Sequence, residues 1–174
     1  MNDLLTILPL MLALLLAQGF FSGSEIALVS CDKLKLRSRA ERGDKRAALV
    51  LKLFEKPETI LATTLIGTNI STVSLTVLGT ATMLELAGSG GEVYAVLLLT
   101  PLMLIFGEIV PKSVYQQHAD SIAPHVATLL AVIRTLLLPI SLTFGWIGKR
   151  IARLVGPESS SSSPFITRQR LRLM

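Results

Sequence analysis

Glu108 is the residue whose placement most needs a chemical explanation. It stands in Phe106-Gly-Glu-Ile-Val-Pro-Lys112, where a hydrophobic run about one membrane thickness long meets a carboxylate, a proline and a lysine. A carboxylate at membrane depth costs on the order of 2.5–3.5 kcal/mol on insertion scales, so it turns toward protein or water and tends to serve a function. Two uses fit: a protonated acid bonded to a neighbouring helix, or an ionised ligand for a cation. Pro111 adds a second group. Its ring removes a backbone donor and clashes with the carbonyl four residues back, which on α-helical spacing frees the Gly107 oxygen. Irregular backbone at that depth is tolerated where it is buried in protein or lines a cavity. Lys112 either pairs with Glu108 or snorkels to the inner surface, and snorkelling is the expectation.

Further oxygen donors come from two other hydrophobic stretches. Ser22 and Glu25 are three apart and share a helical face, with Ser24 close by. Ser22 either bonds back to its own helix or is free to bind, and Glu25 reads as a carboxylate at the cytoplasmic boundary. Gly19 and Gly23 form a GxxxG pair, the spacing that lets another helix approach closely. The stretch 57–86 carries Thr63, Thr64, Thr68, Asn69, Ser71, Thr72, Ser74 and Thr76, with no Lys or Arg. Hydroxyls in a span often bond their own carbonyls. An amide is harder to satisfy in lipid, so Asn69 calls for either a cross-helix contact or a ligand. Taking cytoplasmic ends near Ser30, Pro57 and Gln117, the residues Ser22, Asn69 and Glu108 lie roughly 12, 18 and 14 Å inside at about 1.5 Å per residue. Hydroxyl, amide oxygen, carboxylate and freed carbonyl are all hard oxygen ligands, suited to Mg²⁺, Ca²⁺ or Na⁺ and not to zinc or copper.

The elements that must position these groups are helices in a membrane. Of 174 residues, 51% are apolar and 17% charged, and mean hydropathy is +0.60. An ordinary soluble domain is roughly 25% charged. Three spans are predicted at about 4–30, 57–86 and 93–117. The first resembles a signal-peptide core, but its start carries Asp3 and no Lys or Arg, and the apolar run continues well past signal-peptide length. From Asp32 to Glu58 basic residues outnumber acidic ones, which makes this segment cytoplasmic and puts the N-terminus outside. Its apolar residues suggest two short amphipathic helices within 32–55, on the inner surface. A second belt at about 121–155 is read as two amphipathic or re-entrant helices. A fourth crossing there would leave Lys149, Arg150 and Arg153 outside, against the charge rule. Gly156-Pro-Glu followed by five serines reads as a flexible linker, so residues 1–156 form the membrane domain and 157–174 lead toward a further domain.

The net charge of +5 does not point to nucleic acid, because the basic residues cluster beside hydrophobic runs without interleaved aromatics. Anionic lipid headgroups are the better-matched partner. A single cysteine, Cys31, excludes an intramolecular disulfide.

Three segments in order carry a resemblance: Phe21-Ser-Gly-Ser-Glu-Ile-Ala-Leu, Thr64-Leu-Ile-Gly-Thr-Asn69 and Phe106-Gly-Glu-Ile-Val-Pro-Lys112. Together they resemble the membrane domain of the CorC/CNNM (cyclin M) family of magnesium transporters, and residues 165–174 are similar to the segment leading into that family's cytoplasmic CBS-pair domain. The resemblance implies an all-α membrane protein, a homodimer of three-span protomers with juxtamembrane helices, in the plasma or bacterial inner membrane with a cytoplasmic C-terminus. The implied activity is Mg²⁺ export driven by Na⁺ entry, transport and not enzymatic catalysis. By motif, Ser22, Asn69, Glu108 and the Gly107 carbonyl would hold the cation, with Ser24 and Ser71 beside them. Glu25 stands where the animal branch carries a neutral amide. The alternative is a membrane anchor or sensor that binds Mg²⁺ and regulates another transporter.

Overall fold

A computed structural model describes residues 2–55 and 57–135, with side chains from residue 5. Among them every regular element is helical. Helix α1 runs Asn2–Ser30, α2 Lys33–Glu41, α3 Lys45–Leu53 and α4 Pro57–Ala87. A 3₁₀ turn at Gly88–Gly90 leads into α5, Gly91–Leu102, which passes through a π-helical segment, Met103–Ile109, into α6, Val110–Gln117. A further helix, α7, covers residues 119–135. The second juxtamembrane helix expected at about 139–155 and the linker 157–174 lie outside the described residues.

Two helical stretches, Leu5–Ser30 and Pro57–Gln117, are long and apolar enough to cross a membrane. The second is folded back on itself. Gly88 adopts φ +62°, a left-handed conformation that costs glycine nothing. A side chain at Gly91 would strike Met83 O and the Leu84 backbone. Further along, a Cβ at Gly79 would meet Leu99 Cδ1, and Thr76 Oγ1 approaches Met103 Sδ at 3.8 Å. Residue numbers rise on one arm as they fall on the other, so α4 and α5 form an antiparallel hairpin.

Glycine seams fix α1 against both arms. A Cβ at Gly67 would lie 2.6 Å from the Phe21 ring, and one at Gly79 would lie 3.1 Å from Met11 Cε, so α1 and α4 are antiparallel. Gly19 faces Pro111 and Gly23 faces the Tyr115 ring, so α1 runs parallel to α6. The GxxxG pair is thus a packing surface for the third apolar stretch. Leu75, Ala95, Leu99 and Met103 form one buried cluster, flanked by Met11, Leu14, Leu15 and Met83. Leu5, Leu12, Leu16, Val77, Val96 and Leu97, by contrast, stand more than half exposed. Such apolar surface suits hydrocarbon and not water.

A second cluster lies at the other end, where Leu28, Cys31, Leu36, Val50, Leu53 and Ile60 meet Ala119, Ala123, Ala127 and Leu130 of α7. Aspartates organise it. Asp32 caps α2 by accepting the N–H groups of Leu34 and Lys35, and Asp44 caps α3 by accepting those of Arg46 and Ala47. Asp120, at the start of α7, accepts the Asp32 N–H at 2.8 Å and Lys35 Nζ at 2.7 Å, while its own carbonyl accepts from Arg39 Nη1. Arg39 also pairs with Asp44 at 2.8 Å. These bonds hold the Asp120 carboxyl below the ordinary carboxylate range, the Asp32 N–H first and Lys35 after it. Burial, with Asp120 nearby, pushes the Cys31 thiol up to about 11.

Candidate cation site

The turn of α1 from Gln18 to Ser24 is where polar groups are buried without partners. Ser22 is 1% exposed and Ser24 fully buried, and neither hydroxyl has a hydrogen-bond partner in the structure. Gln18, one turn before Ser22, is 2% exposed, and its Oε1 is likewise unpaired. On α4, Thr68 Oγ1 is a fourth such atom. Each buried unpaired oxygen costs about 1–3 kcal/mol, so several together call for a ligand, an ion or water.

Several other hydroxyls of α4 bond back to their own helix. Thr63 donates to Thr59 O, Thr64 to Ile60 O, Ser71 to Gly67 O and Thr76 to Thr72 O. Ser71 is buried, and its proton is committed to its own helix, which leaves lone pairs on the oxygen. In place of a cross-helix contact, Asn69 bonds within its own helix. Its Nδ2 donates to Leu65 O at 2.9 Å, within α4, and the residue is exposed. With the nitrogen satisfied in this way, the amide oxygen is the atom left to face outward.

Glu108 sits in the π segment with its side chain 39% exposed, and Lys112 Nζ lies 4.0 Å from its Oε2. The lysine therefore turns back toward the carboxylate where snorkelling was expected, because the residues are four apart on the helix and face the same way. The backbone here departs from α-helical spacing. Val110 N–H bonds Ile105 O, five residues back. In that register the donor missing from Pro111 would have reached Phe106 O, one residue before the Gly107 carbonyl that α-helical counting selects. Gly107 is buried, and a Cβ there would lie 2.6–2.8 Å from the amide atoms of Gln18.

Packing brings the levels together. Phe21 against Gly67 sets the Ser22 turn beside the α4 turn that carries Thr68 and Asn69. Gln18 against Gly107 and Gly19 against Pro111 set the same part of α1 beside Glu108. The α4–α5 register carries Asn69 to within about a turn of Glu108. Ser22 and Ser24 are buried among the helices, whereas Asn69 and Glu108 reach more open surface. The donor set is hydroxyl, amide and carboxylate oxygen. Among the described residues no cluster of three or more His, Cys, Asp or Glu forms a metal centre, so any cation here would be held mainly by neutral oxygens.

Sequence reasoning missed Gln18 and did not separate Thr68 from its hydroxylic neighbours. For Gln18 a signal exists: it is an amide within an otherwise aliphatic run, four residues before Ser22. For Thr68 none does, since only coordinates tell a satisfied hydroxyl from an unpaired one.

A family model for the cyclin M transmembrane N-terminal domain matches residues 9–174. The chain belongs to this family. A UPF0053 protein from Haemophilus influenzae is 32% identical over 167 residues, which cover 96% of this chain and 40% of the relative. The UPF0053 inner membrane protein YfjD of Escherichia coli is 30% identical, over 79% of this chain and 32% of its own length. The Caenorhabditis elegans metal transporter cnnm-4 is 28% identical, over 90% of this chain and 34% of its own. This cyclin M chain thus spans a third to two-fifths of the length of those relatives. Its family and its apolar helices identify a membrane protein, related to a metal transporter.

Proposed function

We propose that this cyclin M domain carries Mg²⁺ across the membrane, out of the cytoplasm and in exchange for entering Na⁺, through an oxygen site open to the inner side. The unpaired, buried hydroxyls of Ser22 and Ser24, one to two turns along α1 from the Gln18–Gly107 contact beside Glu108, support the reading. Glu108 supplies the negative charge, Ser22, Ser24, Asn69 and Ser71 supply neutral oxygens, and the carbonyl freed by Pro111 adds one more, Phe106 O in the π register where α-helical counting gave the Gly107 carbonyl. One carboxylate leaves a bare Mg²⁺ undercompensated, so the ion keeps part of its water shell. The exposure of Glu108 suits such a wet site.

In this reading α1, α4 and the α5–α6 arm are three spans, with the N-terminus outside and the basic α2–α3 segment and the C-terminus in the cytoplasm of a bacterial inner membrane. Two protomers pair as a homodimer in contact with anionic lipid, and the chain continues into a cytoplasmic CBS-pair domain. No chemical reaction is catalysed.

The test is Glu108→Gln, with Mg²⁺ binding followed by thermal shift and transport followed in liposomes containing only this protein. Both should be lost. If both are unchanged, the site assignment is wrong. Binding by the parent protein without any flux would make it a sensor instead.

A further inference from the structure

The contact between Gln18 and Gly107 is not accounted for by packing alone. The Gln18 amide occupies the space a side chain at 107 would fill, with Cδ, Oε1 and Nε2 all within 2.8 Å of that Cβ position. It is thereby pressed onto the backbone of the π segment, next to Glu108. Its Oε1 is buried and accepts nothing. An aliphatic side chain would fill the same space without leaving an oxygen unpaired. Ser22, four residues on and on the same face of α1, has the same unpaired state. Two orphaned oxygens one turn apart, the first against the segment that holds the carboxylate and the second on the turn that packs against α6, form a short ladder along α1.

We infer that Gln18 is a further oxygen ligand for the small hard cation this protein binds, one helical turn from Ser22 toward the N-terminal end of α1. Amide oxygens are ordinary ligands for such ions. The inference rests on the cation-site reading of Ser22 and Glu108 and adds a residue outside the motif-derived set. Gly107 takes a second role in it, as the only residue type that admits the amide at this distance.

Gln18→Met keeps length and volume but removes the oxygen. In the cation-free protein its Tm should equal or exceed that of the parent, because an unpaired buried polar atom is gone. Mg²⁺ or Na⁺ affinity, read from the cation dependence of Tm and by calorimetry, should fall about tenfold or more, the scale seen when a metal's supporting groups are removed. Weakening confined to one ion assigns the residue to that ion. Gln18→Glu keeps the oxygen and adds charge, and should tighten binding at least threefold. Parent-like affinity for both ions in Gln18→Met overturns the inference, and so does parent-like affinity in Gln18→Glu should the methionine variant not fold. Glu108→Gln run in parallel separates the two readings. If it abolishes binding while Gln18→Met does not, only the role of Gln18 fails. If it too leaves binding intact, the site reading fails with it.

Discussion

Replacing both glycines of the α1 seam, Gly19→Val with Gly23→Val, should open the α1–α6 interface by a calculable amount. A Cβ at 19 would sit 2.9 Å from Pro111 Cγ, and one at 23 would sit 2.8 Å from two atoms of the Tyr115 ring. Carbon atoms prefer separations of about 3.5–4.0 Å, so the helices must part by roughly 0.6–1.1 Å. Pro111 cannot swing aside, because its ring is fused to the backbone. Overpacking costs about 1–3 kcal/mol per site, or about 2–6 for the pair. Valine returns a few tenths of a kcal/mol per site over glycine in helix propensity. A net loss of about 3 kcal/mol corresponds to a Tm lower by roughly 6–12 °C for a chain of this size. Gly90→Ala is the control: its nearest neighbour would be Tyr94 at 3.6 Å, an ordinary contact, so Tm should hold. The assay is thermal unfolding in detergent, with and without Mg²⁺. Because Mg²⁺–oxygen bonds are about 2.0–2.1 Å and demand near-ideal geometry, the parted helices should also lose the Mg²⁺-dependent rise in Tm. A double variant as stable and as Mg²⁺-responsive as the parent would show that the seam is not tight, and the positioning argument would fall with it.

Asp120→Asn should lower Tm at neutral pH and flatten the acid limb of the stability curve. The folded carboxyl titrates below its unfolded value, so its contribution is present above about pH 3.9 and is lost as pH falls through the lower folded value. Melting curves between pH 3 and 7 compare the two proteins. Cys31 should resist maleimide in the folded state, since it is buried and its thiol is pushed up to about 11, leaving roughly one thiolate in three thousand at pH 7.5. Labelling should rise to completion on heating through Tm, and rapid labelling in the cold would contradict the burial.

Much of this arrangement was legible in one dimension because membrane chains declare themselves through long apolar runs and charge asymmetry. Glu108 and Pro111 stood out since both are costly where they sit, and Ser22 and Asn69 followed from helical spacing and depth. Side-chain bonding was not legible. Asn69 closing onto Leu65 O and Lys112 turning toward Glu108 are choices among near-equal alternatives, each made within its own helix at a spacing of four. The π segment was half legible. Proline announces a break but not its register, and the Val110 bond to Ile105 O moves the vacant acceptor by one residue.

Those wide turns also keep a stripe in phase. Leu99, Met103, Gly107, Pro111 and Tyr115 recur at every fourth position, and each meets α1 or α4 or lies in the cluster between them. On a regular α-helix, steps of four precess by about 40° each, which would carry the last of these well around the cylinder from the first. A stretch bonded five residues back absorbs that drift. One arm can therefore mate with α4 at its beginning and with α1 at its end, and the carboxylate is carried on the very turns that make the correction.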